Sequence, residues 1–386
     1  MKKLLFITGS RGEYGYIKPI IKEIQTSNYF KFDICATNMH MIPSFGNTLA
    51  EFEKDNIPVK YKIYNTLDGY NNITTIKSLG LFLLQLPDIL HESKPDIIII
   101  SGDRGEQFMG ALAGIHMNIP VAHIQAGELS GHIDGVIRHS ITKLSTIHFC
   151  SNDDAYNRVI KLGENLEYVF NVGAPQIDDM LDTNLLDLSI KSKYGLTENK
   201  MLFLVIYHPV HEEINISNNI CVIMDSIFSL TQYEDDELEI LVILPNSDSN
   251  SKEIIYIYDE IKKNYKNIKF IPSLPRNDYL SLLYKCNILI GNSSSGILEA
   301  ATYKKPVVNI GKRQNLRKQN INIINVENYN LTLIKNAIIK GLSNDFNNNI
   351  RDIQNLYGIE KATPKILNIL QNINFNELNV IKHITF

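Results

Sequence analysis

Residues 123–141, HIQAGELSGHIDGVIRHSI, combine acid–base side chains with flexible backbone. The stretch holds three histidines, two carboxylates, one arginine and three glycines. Carboxylates and histidines transfer protons in enzymes, and glycine lets the backbone approach a ligand closely. The stretch therefore predicts a proton-transfer site, with Glu128, His132, Asp134, Arg138 and His139 as the candidates.

The spacing of two of these residues indicates how they could be positioned. If a helix begins near Asp134, then Asp134 and Arg138 share one helix face, because residues four apart are neighbours. His132 and Arg138 would then orient the carboxylates or bind the substrate. His123 and His139 are interpreted as packed strand-end and helix residues.

A second candidate stretch, SGDRGEQ at residues 101–107, directly follows four isoleucines. A carboxylate at a buried strand end can have a raised pKa and act as an acid or base, which makes Asp103 a catalytic candidate. Capping of the following helix by Asp103, with Arg104 as its partner, is an equally open interpretation.

Other polar stretches could bind an anion. IGNSSSGILEA, at residues 290–300, follows an apolar run and predicts a helix N-terminus, which suits phosphate. Ordinary N-capping by serine explains the same residues, and the lysine of a P-loop is missing. Glu299 would reach ribose hydroxyls or serve as a first-turn acid. The candidates are Ser293, Ser294, Ser295 and Gly296.

Three further stretches carry arginine or histidine candidates. Arg11 in TGSRGEYG would pair with a phosphate or form a surface ion pair, and this stretch is not a GxGxxG nicotinamide fingerprint. GKRQNLRKQ places Arg313 and Arg317 four residues apart. This spacing is compatible with one face of a helix that binds an anion, or with a run of solvated charges. His208 ends an apolar run in YHPVHEE. The separated acids and histidines lack metal-binding spacing, so no metal is expected.

The alternation of apolar runs and longer amphipathic stretches determines where these residues lie. Continuous apolar strands with helices between them indicate parallel sheets covered on both faces. The pattern weakens after Pro175 and restarts near Met201, which predicts two α/β domains, residues 1–175 and 176–386. In such sheets ligands bind beyond the carboxyl ends of the strands. The polar stretches all fall at those ends and suggest one cleft between the domains.

Composition restricts the class of protein. The 386 residues are 44% hydrophobic and 21% charged, with a net charge of −4. This balance gives no general reason to bind nucleic acid or an anionic membrane. The apolar N-terminal stretch is too short for a signal peptide, and no apolar run approaches the roughly 20 residues of a membrane span. We expect a cytoplasmic protein whose four scattered cysteines are mostly buried free thiols.

Several motifs together resemble one family. ITGSRGEYG, GDRGE, AGELSGHIDGVIRHSITKLSTIHF, VFNVGAPQID, YHP and GNSSSGILEA resemble, in this order, the hydrolysing UDP-N-acetylglucosamine 2-epimerases of the bacterial NeuC type. The resemblance runs from about residue 3 to about residue 320. It implies a GT-B fold, with two Rossmann-like domains and the active site between them. It also implies a final helix, within residues 355–372, that crosses back to the first domain.

The resemblance implies an activity as well. Such enzymes convert UDP-N-acetylglucosamine and water to N-acetylmannosamine and UDP, for sialic acid biosynthesis, by anti-elimination of UDP and addition of water to the resulting glucal. No nicotinamide or metal cofactor is required, and a homodimer or homotetramer is expected. The implied catalytic residues are Asp103, Glu128, Asp134 and His208. The implied substrate-binding residues are Arg11, Glu13, Arg104, His132, Arg138, Ser293, Ser294, Ser295, Gly296, Glu299 and Arg313.

The chain departs from the family pattern at two positions. Many members have a carboxylate where this chain has Gln125, and an acid where it has Gly135. The SGHIDG form suggests an alternative substrate. The same reaction would then act on UDP- or GDP-N,N'-diacetylbacillosamine, in legionaminic acid biosynthesis. The residues also leave open a retaining glycosyltransferase, which needs no base at C2, and a non-catalytic nucleotide-sugar-binding module.

Overall fold

Apolar β-rich runs form the strands of two parallel sheets in the computed structural model, which describes residues 1–43, 48–69, 71–131, 133–210, 215–230, 237–245, 250–265 and 267–383. The chain divides into two units. The first comprises Met1–Leu129, Ile133–Leu181 and Tyr357–Phe386, and the second comprises Ser130–His132 and Asp182–Leu356. The domain boundary predicted after Pro175 stays a prediction.

The first unit is built on a seven-stranded sheet of order β3-β2-β1-β4-β5-β6-β7. Alternate residues of β1 enter separate hydrophobic clusters, since Leu4 and Phe6 belong to one and Leu5 and Ile7 to another. Both faces of the sheet are therefore covered, which explains why its strands read as unbroken apolar runs. The strands are β1 (Lys2–Thr8), β2 (Phe30–Ala36), β3 (Tyr61–Lys62), β4 (Ile97–Ser101), β5 (Val121–Ile124), β6 (Ile147–Cys150) and β7 (Val169–Asn171).

Helices cover the two faces of this sheet. They are α1 (Arg11–Gln25), α2 (Leu49–Lys54), α3 (Asn72–Ser93), α4 (Gly105–His116), α5 (Ile133–Leu144) and α6 (Asp153–Lys161). Helix α5 begins one residue before Asp134, so Asp134 and Arg138 lie one turn apart, as the spacing predicts.

The second unit repeats the architecture with a six-stranded sheet of order β10-β9-β8-β11-β12-β13. Its strands are β8 (Met201–Ile206), β9 (Leu238–Ile243), β10 (Ile268–Ile271), β11 (Ile288–Gly291), β12 (Val307–Ile310) and β13 (Ile323–Val326). Its helices are α7 (Ile190–Lys193), α8 (Ile216–Phe228), α9 (Ser251–Asn264), α10 (Arg276–Lys285), α11 (Ser294–Leu298), α12 (Leu331–Leu342) and α13 (Asn344–Ile350).

The strand orders confirm the predicted α/β class and the two Rossmann-like parallel sheets. In each sheet the order reverses beside the first strand, between β1 and β4 and between β8 and β11. Ligands bind at the carboxyl ends of strands at such a switch point. The loops after these four strands are therefore the places to look for a site.

The last helix, α14 (Ala362–Asn372), packs in the first unit. Ala362, Ile366 and Leu370 join the hydrophobic cluster that covers one face of the first sheet. Asp178 caps the helix, because its carboxylate accepts hydrogen bonds from the backbone N–H groups of Ala362 and Thr363 at 2.7 and 2.8 Å. This is the helix predicted within residues 355–372.

Helix α3 corrects one expectation from the sequence. Its 22 residues are long and apolar enough, by length and composition, to cross a membrane, whereas no such segment is expected from the sequence. Phe82, Leu86 and Leu90 of α3 are buried in the core of the first unit, which is the pattern of an amphipathic helix on a sheet.

Three of the four cysteines are buried, as predicted. Burial raises the pKa of Cys35 to about 12 and that of Cys286 to about 11, so neither is a reactive thiolate at neutral pH. Cys221 is exposed on α8.

Candidate active site

The predicted site residues lie in both units, and each unit is described by itself. In the first unit they follow β1, β4 and β5, and in the second they follow β8, β11 and β12. These are the strands at and beside the switch points.

An ion pair between Asp103 and Arg138 lies at the carboxyl end of β4 in the first unit. Asp103 follows the tight turn at Gly102, whose φ of +80° favours glycine. Arg138 projects from α5, and only 1% of its side chain is exposed. Arg104, not Asp103, is the N-cap residue of α4. The structure therefore gives Asp103 a specific partner from another helix.

The Arg138 guanidinium is positively charged and has donors to spare. Burial alone would lower its pKa, but Asp103 and Glu128 more than offset burial and raise the pKa above its usual value. Its Nε and Nη1 groups are buried and make no hydrogen bond to the described residues. A buried unpaired donor costs about 1–3 kcal/mol. These two groups are thus available to an oxygen of a bound ligand.

Glu128 lies after β5 and is buried, with 2% of its surface exposed. Its Oε1 accepts a hydrogen bond from Asn152 Nδ2 at 2.6 Å, and its Oε2 accepts one from the Tyr357 hydroxyl at 3.4 Å. Its charge raises the pKa of Arg138. Asp103 thus forms an ion pair with Arg138, and the charge of Glu128 acts on the same arginine.

Gln125 occupies the position where many family members carry an acid. It follows β5 with a left-handed φ of +64°, is fully buried, and neither polar atom of its side chain bonds to a described residue. An amide cannot act as a base, but it can hold a ligand or water through two donors and an acceptor. Gln125 therefore supplies no proton-transfer group at this position.

Three further predicted residues of the first unit lie at or beside the starts of helices. Asp134 is half-buried in the first turn of α5, and Arg11 is the half-buried first residue of α1. Arg104 lies beside Glu106, with Nε and Oε2 3.7 Å apart. His132 lies outside the described residues.

Glu13 forms a capping box at the start of α1. Its carboxylate accepts from the backbone N–H groups of Gly9 and Ser10, while the Ser10 hydroxyl accepts from the Glu13 N–H. Burial, reinforced by nearby Glu106, raises the pKa of Glu13 to about 8. The structure thus gives Glu13 a structural contact, and its contact with substrate stays a prediction.

His123 is a packed residue, as expected. One ring nitrogen lies 2.7 Å from the Gly102 carbonyl and the other 3.3 Å from the Thr142 hydroxyl. Burial lowers its pKa to about 3, so the ring is neutral and holds the turn before Asp103. Burial also lowers the pKa of half-buried His139.

In the second unit, Asn292 joins the loops after β8 and β11. Its side chain accepts from the His208 N–H at 2.7 Å and donates to the His208 carbonyl at 2.8 Å. The preceding Gly291 has a φ of +136°, and an added Cβ would lie 2.0 Å from the Ile206 carbonyl oxygen. Only glycine fits there, and it brings His208 to the start of the serine motif.

The serine motif begins a helix shorter than the sequence suggests. Ser293 caps α11, accepting from the Ser295 N–H at 3.4 Å, and α11 ends at Leu298. The Ser295 hydroxyl contacts the Tyr279 hydroxyl. Burial raises the pKa of Tyr279 beyond its usual range, so it remains a neutral hydrogen-bonding group. Because α11 has only five residues, its hydroxyls and N–H groups would contribute more to binding an anion than its helix dipole would.

Glu299 is held by an arginine that the sequence did not single out. Its Oε1 lies 2.8 Å from Arg276 Nη1, and both side chains are largely buried. Its Oε2 is buried and bonds to no described residue. It is the C-cap residue of α11, so the first-turn interpretation is wrong. One oxygen is anchored and the other can accept a ligand hydroxyl.

Residues 311–317 form turns around Asn292. Arg313 Nη1 and Gln314 Nε2 donate to the Asn292 carbonyl at 3.2 and 3.1 Å. Arg317 is buried, and the segment is not helical. The helix-face interpretation is therefore wrong because the segment is not helical, and the solvated-run interpretation is wrong for Arg313 and Arg317, because Arg313 bonds to the strand-end loop and Arg317 is buried.

Gly131 of the opening stretch belongs to this second unit. Its N–H donates to the Arg313 carbonyl at 3.1 Å, and an added Cβ would lie 2.0 Å from the Lys312 carbonyl oxygen. The backbone at Gly131 lies so close to the backbone of Lys312 and Arg313 that only glycine fits.

Among the residues that the structure describes, no group of three or more His, Cys, Asp and Glu side chains is arranged to hold a metal ion. Sequence reasoning missed several residues that contact the site residues. They are Asn152, Arg276, Tyr279, Asn292, Gln314 and Tyr357. The sequence could have indicated Arg276 as a strand-end residue, because it follows Pro275 shortly after the apolar run of β10.

Known proteins match this chain along most of its length. Residues 22–371 match the family model of UDP-N-acetylglucosamine 2-epimerase. The chain is 33% identical to UDP-N,N'-diacetylbacillosamine 2-epimerase (hydrolyzing) of Legionella pneumophila, over 97% of this chain and 96% of that protein. It is also 33% identical to UDP-N-acetylglucosamine 2-epimerase of Neisseria meningitidis, over 85% and 84%.

A solved structure agrees in fold. The crystal structure of UDP-GlcNAc 2-epimerase from Neisseria meningitidis bound to UDP-GlcNAc superposes with a TM-score of 0.81 at 20% identity, over 95% of this chain and 99% of that chain. The motifs, the two sheets and the matched length agree. The chain therefore belongs to the UDP-N-acetylglucosamine 2-epimerase family.

Proposed function

We propose that the protein is a hydrolysing sugar-nucleotide 2-epimerase, which converts UDP-N-acetylglucosamine and water to N-acetylmannosamine and UDP. The observation that carries the proposal is the ion pair of Asp103 with buried Arg138 at the switch point of the first sheet, together with the electrostatic effect of Glu128 on the same arginine. Carboxylates in different environments can divide the roles of acid and base, as chemistry at an unactivated carbon requires.

In the first step, UDP leaves by anti-elimination. The C1–O bond breaks and its electron pair goes to the departing diphosphate, a carboxylate takes the C2 proton, and C1=C2 forms. In the second step, water adds its oxygen to C1 and C2 receives a proton from the opposite face. We assign these transfers to Asp103, Glu128 and Asp134, with Arg138 orienting the carboxylate of Asp103.

The second unit supplies the nucleotide contacts in this proposal. Arg313, the Ser293–Ser295 hydroxyls and His208 stabilise charge on the departing diphosphate. Glu299 Oε2, which bonds to no described residue, accepts a hydrogen bond from a ribose hydroxyl. Arg276 holds Oε1, the other oxygen of the same carboxylate. Arg11 and Arg104 remain proposed contacts of the first unit.

The same reaction on UDP-N,N'-diacetylbacillosamine is the second candidate. It is favoured by the Legionella pneumophila relative, whose name carries that substrate and which matches 97% of this chain at 33% identity. The chemistry at C1 and C2 is unchanged between the two sugars, so the residues proposed above serve both.

Incubation with each sugar nucleotide in deuterated water tests the proposal. We expect release of UDP together with free N-acetylmannosamine that carries deuterium at C2, detected by NMR and mass spectrometry. UDP-N-acetylmannosamine as the product would contradict hydrolysis, and transfer of unlabelled sugar to an acceptor would indicate a glycosyltransferase. Turnover of UDP-N,N'-diacetylbacillosamine alone would select the second candidate.

We also propose that the protein works in the cytoplasm and assembles into a homodimer or homotetramer. The sequence-based expectation supports both statements, and the exposed Ile73, Ile76 and Leu84 of α3 support self-association.

A further inference from the structure

We propose that His123 is a positioning residue, because its ring fixes the turn that carries Asp103 and contacts the helix that carries Arg138. The inference rests on the proposed function, since it concerns how the ion pair between Asp103 and Arg138 is held for proton transfer. His123 lies on β5, and its side chain is fully buried.

The imidazole ring of His123 lies between two polar partners. Its Nε2 is 2.7 Å from the Gly102 carbonyl oxygen, and its Nδ1 is 3.3 Å from the Thr142 hydroxyl oxygen. A carbonyl oxygen can only accept, so Nε2 must carry the proton. In a neutral ring Nδ1 is then the acceptor, and it accepts from the Thr142 hydroxyl. One tautomer therefore serves both contacts.

The surroundings keep this ring neutral. Burial lowers the pKa of His123 to about 3, and the positive charge of Arg138 acts in the same direction. His148 lies beside it on β6 and uses its own Nε2 to contact Glu164 at 3.1 Å. A protonated His123 would turn Nδ1 into a donor and add a second positive charge near Arg138. The neutral form with the proton on Nε2 is the one that fits.

The contact with Gly102 sets where the Asp103 side chain begins. The Gly102 carbonyl and the nitrogen and Cα of Asp103 belong to one planar peptide unit. Gly102 has a φ of +80°, and glycine has more backbone freedom than any other residue. Its N–H donates to the Ile124 carbonyl at 3.0 Å, and His123 holds its carbonyl oxygen. The plane that leads to Asp103 is thus held by the ring.

The contact with Thr142 relates the same ring to α5. Thr142 lies one helical turn after Arg138, and its hydroxyl is 3.0 Å from the Arg138 carbonyl oxygen. The hydroxyl has one proton for two acceptors, so its longer contact with the ring is the weaker of the two. The ring of His123 thus joins the two segments that the ion pair of Asp103 and Arg138 also joins.

A comparison with His40 separates positioning from packing. His40 is also buried and neutral, and its ring nitrogens contact the hydroxyls of Thr8 and Thr48 at 3.0 and 2.7 Å. Its partners are two side chains, whereas His123 holds the backbone that leads directly to a proposed catalytic carboxylate. A packing role predicts that turnover falls only as far as the folded state is lost. A positioning role predicts that turnover falls while the folded protein still binds UDP.

Two substitutions at His123 separate its two contacts. The glutamine amide can take the place of Nε2 and donate to Gly102, whereas the shorter asparagine reaches only the place of Nδ1. We expect kcat for UDP release to fall about tenfold in His123→Gln and about 100-fold in His123→Asn, because a small misplacement of a catalytic group has a large effect on rate. KM, and the Kd for UDP measured by calorimetry, should change by less than about threefold.

His116→Asn, at the exposed end of α4, is the control for these variants and should keep wild-type kcat. Equal losses of kcat in His123→Gln and His123→Asn would show that the ring only fills space. Loss of UDP binding in the same proportion as turnover would also overturn the positioning role.

The contact with α5 is tested at Thr142. Thr142→Val should lower kcat about threefold, and Thr142→Ser, which keeps the hydroxyl, should restore it. Ser140→Ala is the matched control, because the Ser140 hydroxyl donates in the same way to the Val136 carbonyl at 3.0 Å and does not bond to His123. Wild-type kcat in Thr142→Val would overturn the link between the ring and α5.

The tautomer is measured without turnover. Long-range proton–nitrogen NMR of protein labelled with ¹⁵N-histidine shows which ring nitrogen is protonated, and the His123 signal is the one lost in His123→Gln. We expect a neutral ring with its proton on Nε2 at about pH 7. A proton on Nδ1 would overturn the proposal even in an active enzyme. The expected tautomer in a wild type that releases no UDP would instead contradict the proposed function.

Discussion

At the scale of single residues, Arg138 keeps a full positive charge in an almost completely buried position, where Asp103 is the carboxylate in direct contact with it. A buried charge needs its partner far more than an exposed one does. Asp103 is therefore oriented by a side chain that cannot easily turn away.

We expect Asp103→Asn to lose about 100-fold to 10,000-fold in turnover, because an amide keeps the shape of the side chain but cannot exchange a proton. The measurement is UDP release under saturating substrate, together with UDP binding by calorimetry, which should persist. The matched control is Asp153→Asn, an exposed carboxylate of α6 that accepts a hydrogen bond from Asn171 Nδ2 at 2.6 Å. Turnover of Asp103→Asn close to wild type would remove Asp103 from the catalytic set.

Glu299 provides a second test, in the unit that we propose to bind the nucleotide. Glu299→Gln should raise the Kd for UDP about tenfold, because a hydrogen bond to a charged acceptor contributes about 1.5–3 kcal/mol. Calorimetric titration with UDP measures it, and kcat should change less than KM. Glu198→Gln, which alters an exposed pair with Lys285, is the control. Unchanged UDP affinity in Glu299→Gln would show that its free oxygen does not contact the nucleotide.

At the scale of elements, the start of α1 shows how a local signal produces a structure with an unusual charge. The sequence SRGE places a serine three residues before a glutamate, which is a capping box. Burial beside Glu106 then raises the pKa of Glu13 from 4.5 to about 8. Ionising Glu13 is therefore easier in the unfolded chain than in the folded one.

This difference predicts how stability depends on pH. The folded pKa lies above the unfolded one, so the contribution of Glu13 is complete below about pH 4.5 and is lost as the pH rises through about 8. Glu13→Gln keeps the capping box and removes the titration. We expect the variant to match wild type near pH 4.5 and to gain free energy of unfolding relative to it up to about pH 9, measured by urea unfolding.

The control for that series is Glu23→Gln, an exposed position of the same helix, which should show no such trend. A free-energy difference between Glu13→Gln and wild type that does not grow with pH would contradict the raised pKa.

The elements were largely predictable from the sequence, because apolar runs and turn residues report local structure. The strand ends that carry Asp103, Glu128, His208 and Ser293 follow from that pattern alone. The hydrogen-bond partners of these residues do not follow from the pattern. Tyr357 reaches Glu128 across 229 residues, and periodicity contains no information about which distant segment meets which strand end.

The segment from Gly311 to Gln319 shows the same limit within a short range. Its spacing of arginines suits a helix, yet the backbone turns so that Arg313 and Gln314 donate to Asn292. Local propensity was overridden by hydrogen bonds to a neighbouring loop, which only the folded sheet brings near.

At the scale of the whole molecule, the chain returns to the first unit at its C-terminus. Lys382 Nζ contacts Glu164 at 2.5 Å and donates to the carbonyls of Thr142 and Ser145 at the end of α5. Burial alone would raise the pKa of Glu164, but His148, Lys382 and Lys143 lower it to about 2. The tail is thus held to the helix that carries Arg138.

We expect Lys382→Met to lower the free energy of unfolding by about 2–3 kcal/mol at about pH 7, because it leaves Glu164 buried with only Lys143 and His148 as partners. Urea unfolding measures the loss. Adding Glu164→Gln should recover much of it, since the uncompensated charge is removed. Lys365→Met, in an exposed pair with Glu360, should change stability by less than about 1 kcal/mol. A loss in the control as large as in Lys382→Met would refute the specific anchor.

The return of α14 to the first sheet has a consequence for the order of events during synthesis. Ala362, Ile366 and Leu370 complete a hydrophobic cluster whose other members include Leu4, Phe6 and Ile17. Domains generally fold as they emerge from the ribosome, N-terminal first. Here the first unit includes Met1–Leu129 and Ile133–Leu181 but also Tyr357–Phe386, so the residues of the second unit are translated before the first unit can complete its core.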